Sequence, residues 1–147
     1  MNVFFDTNIL LDHALRRQDT YASEAVRLLE LCEQYQLTGL GSTGSWYSLT
    51  YVLRKRWGNT NELREKLTAY LSLLRVISTD SGVLREALSE PRRDVEDAYQ
   101  YFTALRHGAA YFITANIKDF LPIELDALPV FTPDVFCRNS FRTRETR

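Results

Sequence analysis

The stretch NVFFDTNILLD, from Asn2 to Asp12, constrains this chain more than any other. Val3, Phe4 and Phe5 are β-branched or aromatic and too uniformly apolar to be half exposed, the pattern of a short buried strand. Ile9, Leu10, Leu11, Ala14 and Leu15 then follow a helical spacing. Asp6 therefore stands at the carboxyl end of a strand, with Thr7 or Asn8 as the cap of the helix that follows. In open parallel sheets ligands bind at that edge, where the loops converge on a crevice. An acid joined to an apolar strand carries a desolvation cost unless something pairs with it, and no Lys or Arg occurs before Arg16.

The alternation of strand and helix continues along the chain. Ala22, Ala25, Val26, Leu29 and Cys32 mark a helix over 23–35 with one buried face. Residues 37–41 read as a weak, glycine-interrupted strand, followed by a helix from Thr43 that Gly58 and Asn59 stop after Trp57. A further helix begins at Asn59 or Thr60 and buries Leu63, Leu67, Tyr70, Leu71 and Leu74. Next come a strand over 75–78 and a brief helix capped by Asp80 or Ser81. After Pro91, the positions Ala98, Tyr101, Phe102 and Leu105 give a helix that ends near Gly108. Strands follow at 110–114 and 129–132, with Pro133 at the first position of a closing helix. This order predicts an α/β fold, a parallel sheet with helices on both faces. One domain over 1–138 is expected, with a basic, flexible tail over 139–147.

Composition narrows the class. With 45% hydrophobic and 25% charged residues the chain falls among ordinary globular proteins. A net charge of -1 excludes a uniformly basic nucleic-acid coat but permits local patches. Cys32 and Cys137 are too few and too scattered for a disulfide framework or a zinc site, and read as reduced thiols. No apolar run approaches the roughly eighteen residues of a membrane span, and acids at Asp6 and Asp12 speak against a signal peptide. A cytoplasmic protein with no membrane partner is expected.

Acids recur where strands should end. Asp94 and Asp97 in DVEDAYQ are three apart and share one face of a helix's first turn, with Glu96 turned aside. TANIKDF, directly after the 110–114 strand, adds Asn116 and Asp119. Hard divalent cations take oxygen ligands from a few carboxylates and keep waters that a phosphate can replace. Each acid has a plainer reading beside this one: first-turn acids complement the helix dipole, and Asp119 can simply begin a turn.

Taken together, VFFDTNILLD, DVEDAYQYFTAL and GAAYFITANIKDF resemble the signatures of the PIN domain, the nuclease fold shared by the toxins of VapBC-type toxin–antitoxin pairs. Order, spacing and length agree over nearly the whole chain, and the closing LPVFTPDVF is similar to the family's last strand and helix. The resemblance implies a three-layer fold with a five-stranded parallel sheet and an endoribonuclease dependent on Mg²⁺ or Mn²⁺. It also implies homodimers and a neighbouring antitoxin that inhibits by occupying the site. By position, Asp6 matches the family's first acid, Asp97 the acid opening the "DA" helix, and Asp119 the acid of the terminal "DF". Asn116 falls where members carry an acid or an asparagine, and Asn8 and Thr114 match the supporting polar residues. The family's second acid is missing: no Asp or Glu occurs from Gln34 to Asn61, and STGSWYSLTYVLRK puts Ser48 or Ser45 there. Either Asp94 supplies the absent charge or the site has decayed, since a serine hydroxyl holds a dication poorly.

On the enzyme reading, Asp6 and Asp97, helped by Asp94 and Asp119, hold one or two metal ions that orient a water for attack on RNA. His13 and His107 look incidental. Arg54, Lys55 and Arg92 are the candidates for phosphate contacts, with Trp46 and Tyr47 as candidate stacking platforms, although aromatics on that helix also suit the core. The alternative is a catalytically degenerate PIN domain that binds nucleic acid or protein.

Overall fold

Alternation along the first strand sets the layers. In the computed structural model, which describes residues 1–18, 20–91 and 94–141, β1 (Asn2–Phe5) is buried on both faces. Val3 and Phe5 point into one core and Phe4 into the other, as successive strand residues must. The elements that follow are α1 (Thr7–Leu15), α2 (Ala22–Glu33), β2 (Thr38–Ser42), α3 (Thr43–Trp57), α4 (Asn61–Leu73), β3 (Leu74–Ile77) and α5 (Ser81–Leu88). Then come α6 (Val95–Arg106), β4 (Tyr111–Ile113), α7 (Ile117–Phe120), a 3₁₀ turn (Leu121–Ile123), β5 (Val130–Phe131) and α8 (Pro133–Phe141).

The five strands form one parallel sheet in the order β3-β2-β1-β4-β5. The chain winds outward from β1 to β2 and β3, then crosses back to place β4 on the other side of β1. Side chains from α1, α2, α3, α4 and α8 pack against Val3, Phe5 and Ile113 on one face. Those from α5, α6 and α7 pack against Phe4, Leu40 and Phe112 on the other. Phe4 and Phe112, paired across β1 and β4, stack with ring centroids 5.1 Å apart. The layered α/β architecture expected from the alternation is the one observed.

Local differences have local causes. Neither Thr7 nor Asn8 caps α1; Asp6 occupies the cap position, and its carboxylate accepts from Thr114 across the sheet. Thr60, not Asn59, caps α4 by accepting from the Leu63 amide, and Asp80 caps α5 through the Val83 amide. Gly108 takes the left-handed conformation (φ 73°) that releases the chain from α6 into β4. The helix α7 is absent from the sequence reading because four residues are too few to display a period. The closing helix starts at Pro133 as expected and runs on to Phe141, while 142–147 of the expected tail lie outside the described residues.

Gly39 in β2 allows α2 and β3 to close on the sheet. A Cβ there would stand 2.6 Å from Leu74 Cδ2 and 2.9 Å from both Cys32 Sγ and Phe5 Cε2, whereas one on Gly41 meets nothing within 4 Å. Gly39→Ala is expected to cost about 1–3 kcal/mol in urea denaturation, the usual range for overpacking. Gly41→Ala should be neutral or slightly stabilising, since it only removes backbone freedom from the unfolded chain. Equal effects at the two positions would contradict this packing.

Candidate active site

The crossover between β1 and β4 puts two strand ends side by side. Phe5 pairs with Ile113, so the next residues, Asp6 and Thr114, become neighbours at the carboxyl edge of the sheet. The Asp6 amide donates to Ile113 O at 2.9 Å, continuing the ladder by one bond. Thr114 Oγ1 donates to Asp6 Oδ2 at 2.9 Å and accepts from the Asn116 amide at 3.0 Å. Both the hydroxyl proton and a lone pair are thereby committed, which fixes the orientation of the Asp6 carboxylate.

Asp6 is 4% exposed. Burial pushes its pKa up from 3.8 to about 6. The bonds from Thr114 and the Thr7 backbone oppose that rise, while the charges of Asp119 and Asp12 add to it. Asp12 is itself buried at 3% exposure and leans on Arg17, whose Nη1 lies 3.6 Å from Oδ1. Its pKa is raised by burial against the pull of that guanidinium. Thr7 is buried beside Asp6, and its Oγ1 has no hydrogen-bond partner among the described residues. Asn8 is half-buried on the first turn of α1.

The other acids approach from α6 and α7. Asp119 is exposed on α7, and its charge reaches Asp6. Asn116 is exposed at the start of the same short helix and makes no side-chain cap bond. Asp97 is half-buried in the first turn of α6. Asp94 caps that helix: its Oδ1 accepts from the amides of Glu96 at 2.9 Å and Asp97 at 3.3 Å. One oxygen of Asp94 is therefore spent on its own helix. Among the described residues, no group of three or more His, Cys, Asp or Glu is assembled to hold a metal. A Mg²⁺-type ion binds through one or two carboxylates and otherwise keeps its waters, so Asp6 with Asp119 is a chemically suitable oxygen donor set.

The two serines of α3 singled out from the sequence, Ser45 and Ser48, stand in different surroundings. Ser48 is exposed on α3 and lines a cleft of about 550 Å³ that also takes in Tyr47. Ser45 is buried: Ser42 Oγ donates to its Oγ at 2.9 Å, and it donates onward to Gln100 Oε1 at 3.3 Å. Glu96, set aside in the sequence reading, faces the cleft with Tyr99 and Gln100. The spacing of 96, 99 and 100 on one helix face was the signal that could have found them.

Arg54 and Lys55 are exposed near the end of α3, with Lys55 Nζ 4.3 Å from the centroid of the Tyr51 ring. Arg92 lies outside the described residues. Of the two aromatic platforms, Trp46 packs against the core, whereas Tyr47 is 72% exposed. His13 pairs with Tyr70 OH at 2.7 Å, and burial lowers its pKa to about 4. His107 Nε2 binds the Ser78 carbonyl at 2.8 Å.

The sequence matches the PIN domain family over residues 2–118, and the chain belongs to that family. Among curated proteins no relative matches. Solved structures share the fold. The crystal structure of VapBC2 from Rickettsia felis, bound to a DNA fragment from its promoter, superposes with a TM-score of 0.67 at 21% identity, over 90% of this chain and 98% of that one. A toxin–antitoxin complex from Klebsiella pneumoniae gives 0.66 at 25% identity, over 89% and 97%. VapC20 from Mycobacterium tuberculosis, a toxin that cleaves the sarcin–ricin loop, gives 0.58 at 15% identity, over 75% and 86%.

An acid whose pKa is raised on folding weakens the fold when it ionises. Between pH 4 and 6 the native state holds a proton on Asp6 that the unfolded chain has released, so stability falls as pH rises through this window. The shift from 3.8 to about 6 corresponds to about 2–3 kcal/mol. Without divalent metal, Asp6→Asn is expected to be more stable than the parent at pH 7 by about 1–3 kcal/mol, the two converging near pH 4 in urea denaturation. A less stable variant at pH 7 would contradict this assignment.

Proposed function

We propose that this protein is an endoribonuclease dependent on Mg²⁺ or Mn²⁺ and the toxin of a type II toxin–antitoxin pair, acting in the cytoplasm as a homodimer. The observation that carries the reading is the buried Asp6, fixed by Thr114 and raised in pKa by burial and by neighbouring carboxylate charge. Such a group is expensive to keep for structure alone and becomes favourable when a dication arrives. Membership of the PIN domain family and the likeness to a toxin–antitoxin complex support the same class of chemistry and an antitoxin partner.

In this reading Asp6, Asp119 and Asp97 would hold the ion, with Asp94 contributing the oxygen its cap leaves over. When bound, the ion would orient a water toward a phosphodiester and offset charge on the scissile phosphate. The chain's own contribution is positional. Thr114 and the Asn116 amide hold the Asp6 carboxylate in one orientation, and the hydrophobic strand end keeps bulk water from its inner side. Arg54, Lys55 and Arg92 are assigned to RNA phosphates. Arg54 and Lys55 also complement the carboxyl end of the α3 dipole.

One observation favours the second reading, a degenerate PIN domain that binds nucleic acid or protein without cutting. No Asp or Glu occurs from Gln34 to Asn61, where Ser48 or Ser45 stands at the place the resemblance gives the family's second acid, and among the described residues no group of three or more His, Cys, Asp or Glu is assembled to hold a metal.

Cleavage of a structured RNA by the purified protein separates the two. The enzyme reading expects cleavage that needs Mn²⁺ or Mg²⁺ and falls by at least about a hundredfold in Asp6→Ala, in line with losing a group that stabilises the transition state electrostatically. Millimolar Mn²⁺ should also raise the melting temperature, by an amount equivalent to about 1–3 kcal/mol at ten to a hundred times the dissociation constant. Asp97→Asn should shrink that gain. Cleavage that survives Asp6→Ala or metal removal would defeat the proposal, and no cleavage with no thermal shift would establish the degenerate reading.

A further inference from the structure

The cleft lined by Ser48 and Glu96 is used by none of the metal and water roles assigned above. Its volume of about 550 Å³ is in the range of small-molecule sites. Tyr47 and Ser48 of α3 form one wall, Leu84 of α5 adds an apolar patch, and Glu96, Tyr99 and Gln100 of α6 form the other wall. Positions 96, 99 and 100 lie on one helix face, so an acceptor, an aromatic ring and an amide are presented together.

The polar groups on this face are specified. The Glu96 carboxylate has no hydrogen-bond or ion-pair partner among the described residues; only its backbone amide is engaged, by Asp94. The Gln100 amide is oriented by a directional chain. The Ser45 amide donates to Ser42 Oγ, Ser42 Oγ donates to Ser45 Oγ, and Ser45 Oγ donates to Gln100 Oε1. With Oε1 used as acceptor, the group Gln100 has left to offer is its Nε2 donor. The cleft therefore presents a double acceptor and, one helical turn away, a donor.

We propose that this cleft binds a guanine base of the RNA, with Glu96 accepting from N1–H and the N2 amino group, Gln100 Nε2 donating to O6, and Tyr47 and Tyr99 covering the ring. The proposal rests on the ribonuclease reading for its biological substrate. Guanine is the standard base whose pairing edge places two adjacent donors beside a carbonyl. Adenine and cytosine would turn a ring-nitrogen lone pair toward the carboxylate, and uracil offers one N–H between two carbonyls. Aromatic faces supply stacking that every base can use, so discrimination falls to the acid and the amide. A bare cation, such as an arginine from a protein partner, suits Glu96 but is repelled by the outward donor of Gln100.

The test has two arms. In the first, the full-length protein is titrated with GMP, AMP, CMP, UMP and N-acetyl-arginine amide, followed by the NMR signals of Tyr47 and Tyr99. GMP should shift these signals and bind on the order of tenfold more tightly than the other nucleotides, the scale of one good bidentate contact. Glu96→Gln should erase that preference, and Gln100→Glu, which sets a carboxylate against O6, should erase it as well. In the second arm, a degenerate RNA library is digested with Mn²⁺ and the fragment ends are sequenced. A guanine at a fixed distance from the cut should be enriched for the parent and lost in Glu96→Gln. Equal binding of the four nucleotides, binding of the arginine derivative in place of GMP, or an unchanged cleavage pattern in Glu96→Gln would overturn the proposal. Failure of all cleavage would strike the ribonuclease reading, and the nucleotide titration would still decide the cleft.

Discussion

One hydrogen bond, from Thr114 Oγ1 to Asp6 Oδ2, organises the carboxyl edge of the sheet in this protein. It joins residues 108 positions apart in the chain, and it exists because the topology reverses direction at β1 and lays β4 beside it. The register of that pairing is set by aromatic and aliphatic side chains: Val3, Phe4 and Phe5 opposite Tyr111, Phe112 and Ile113. A slip of one residue would exchange the faces of every one of them. The packing that specifies the sheet therefore also specifies where the carboxylate stands.

That placement works against stability. A carboxylate at 4% exposure, with Asp119 and Asp12 adding negative charge, is retained at the expense of the fold. On the proposed reading, a bound dication would relieve that strain. Stability and binding are thus two readings of one electrostatic term, and a polar site built on a rigid apolar strand keeps its geometry whether or not the charge is compensated.

Much of the fold was legible because its signals are local. The apolar strand before Asp6, the order of strands and helices, Pro133 at the start of α8 and Gly108 after α6 all follow from periodicity and backbone chemistry. The approximate positions of the acids were also legible, since each follows a strand or opens a helix. Their second bonds were not. Asp94 has the spacing of a ligand and the geometry of a cap, and sequence cannot say which of its oxygens the helix takes. Trp46 and Tyr47 are adjacent aromatics, yet the helix rotation sends the first toward the core and the second into the cleft. The place of Glu96 on the cleft was not legible for the same reason: the cleft is formed with α3 and α5, which only tertiary packing brings alongside α6.

No Asp or Glu occurs from Gln34 to Asn61, so α3 brings no carboxylate to the sheet edge and the acids come from α6, α7 and the end of β1. Asp6 must then carry a larger share of any metal affinity, and its own titration is the most direct probe. ¹³C NMR of the Asp6 side-chain carboxyl, followed against pH with and without Mg²⁺, reads this group alone. The account predicts a midpoint near 6 in the free protein, and a marked downward displacement with millimolar Mg²⁺ as the ion favours the charged form. A free-protein midpoint near 4, or a midpoint that saturating Mg²⁺ leaves unmoved, would contradict it.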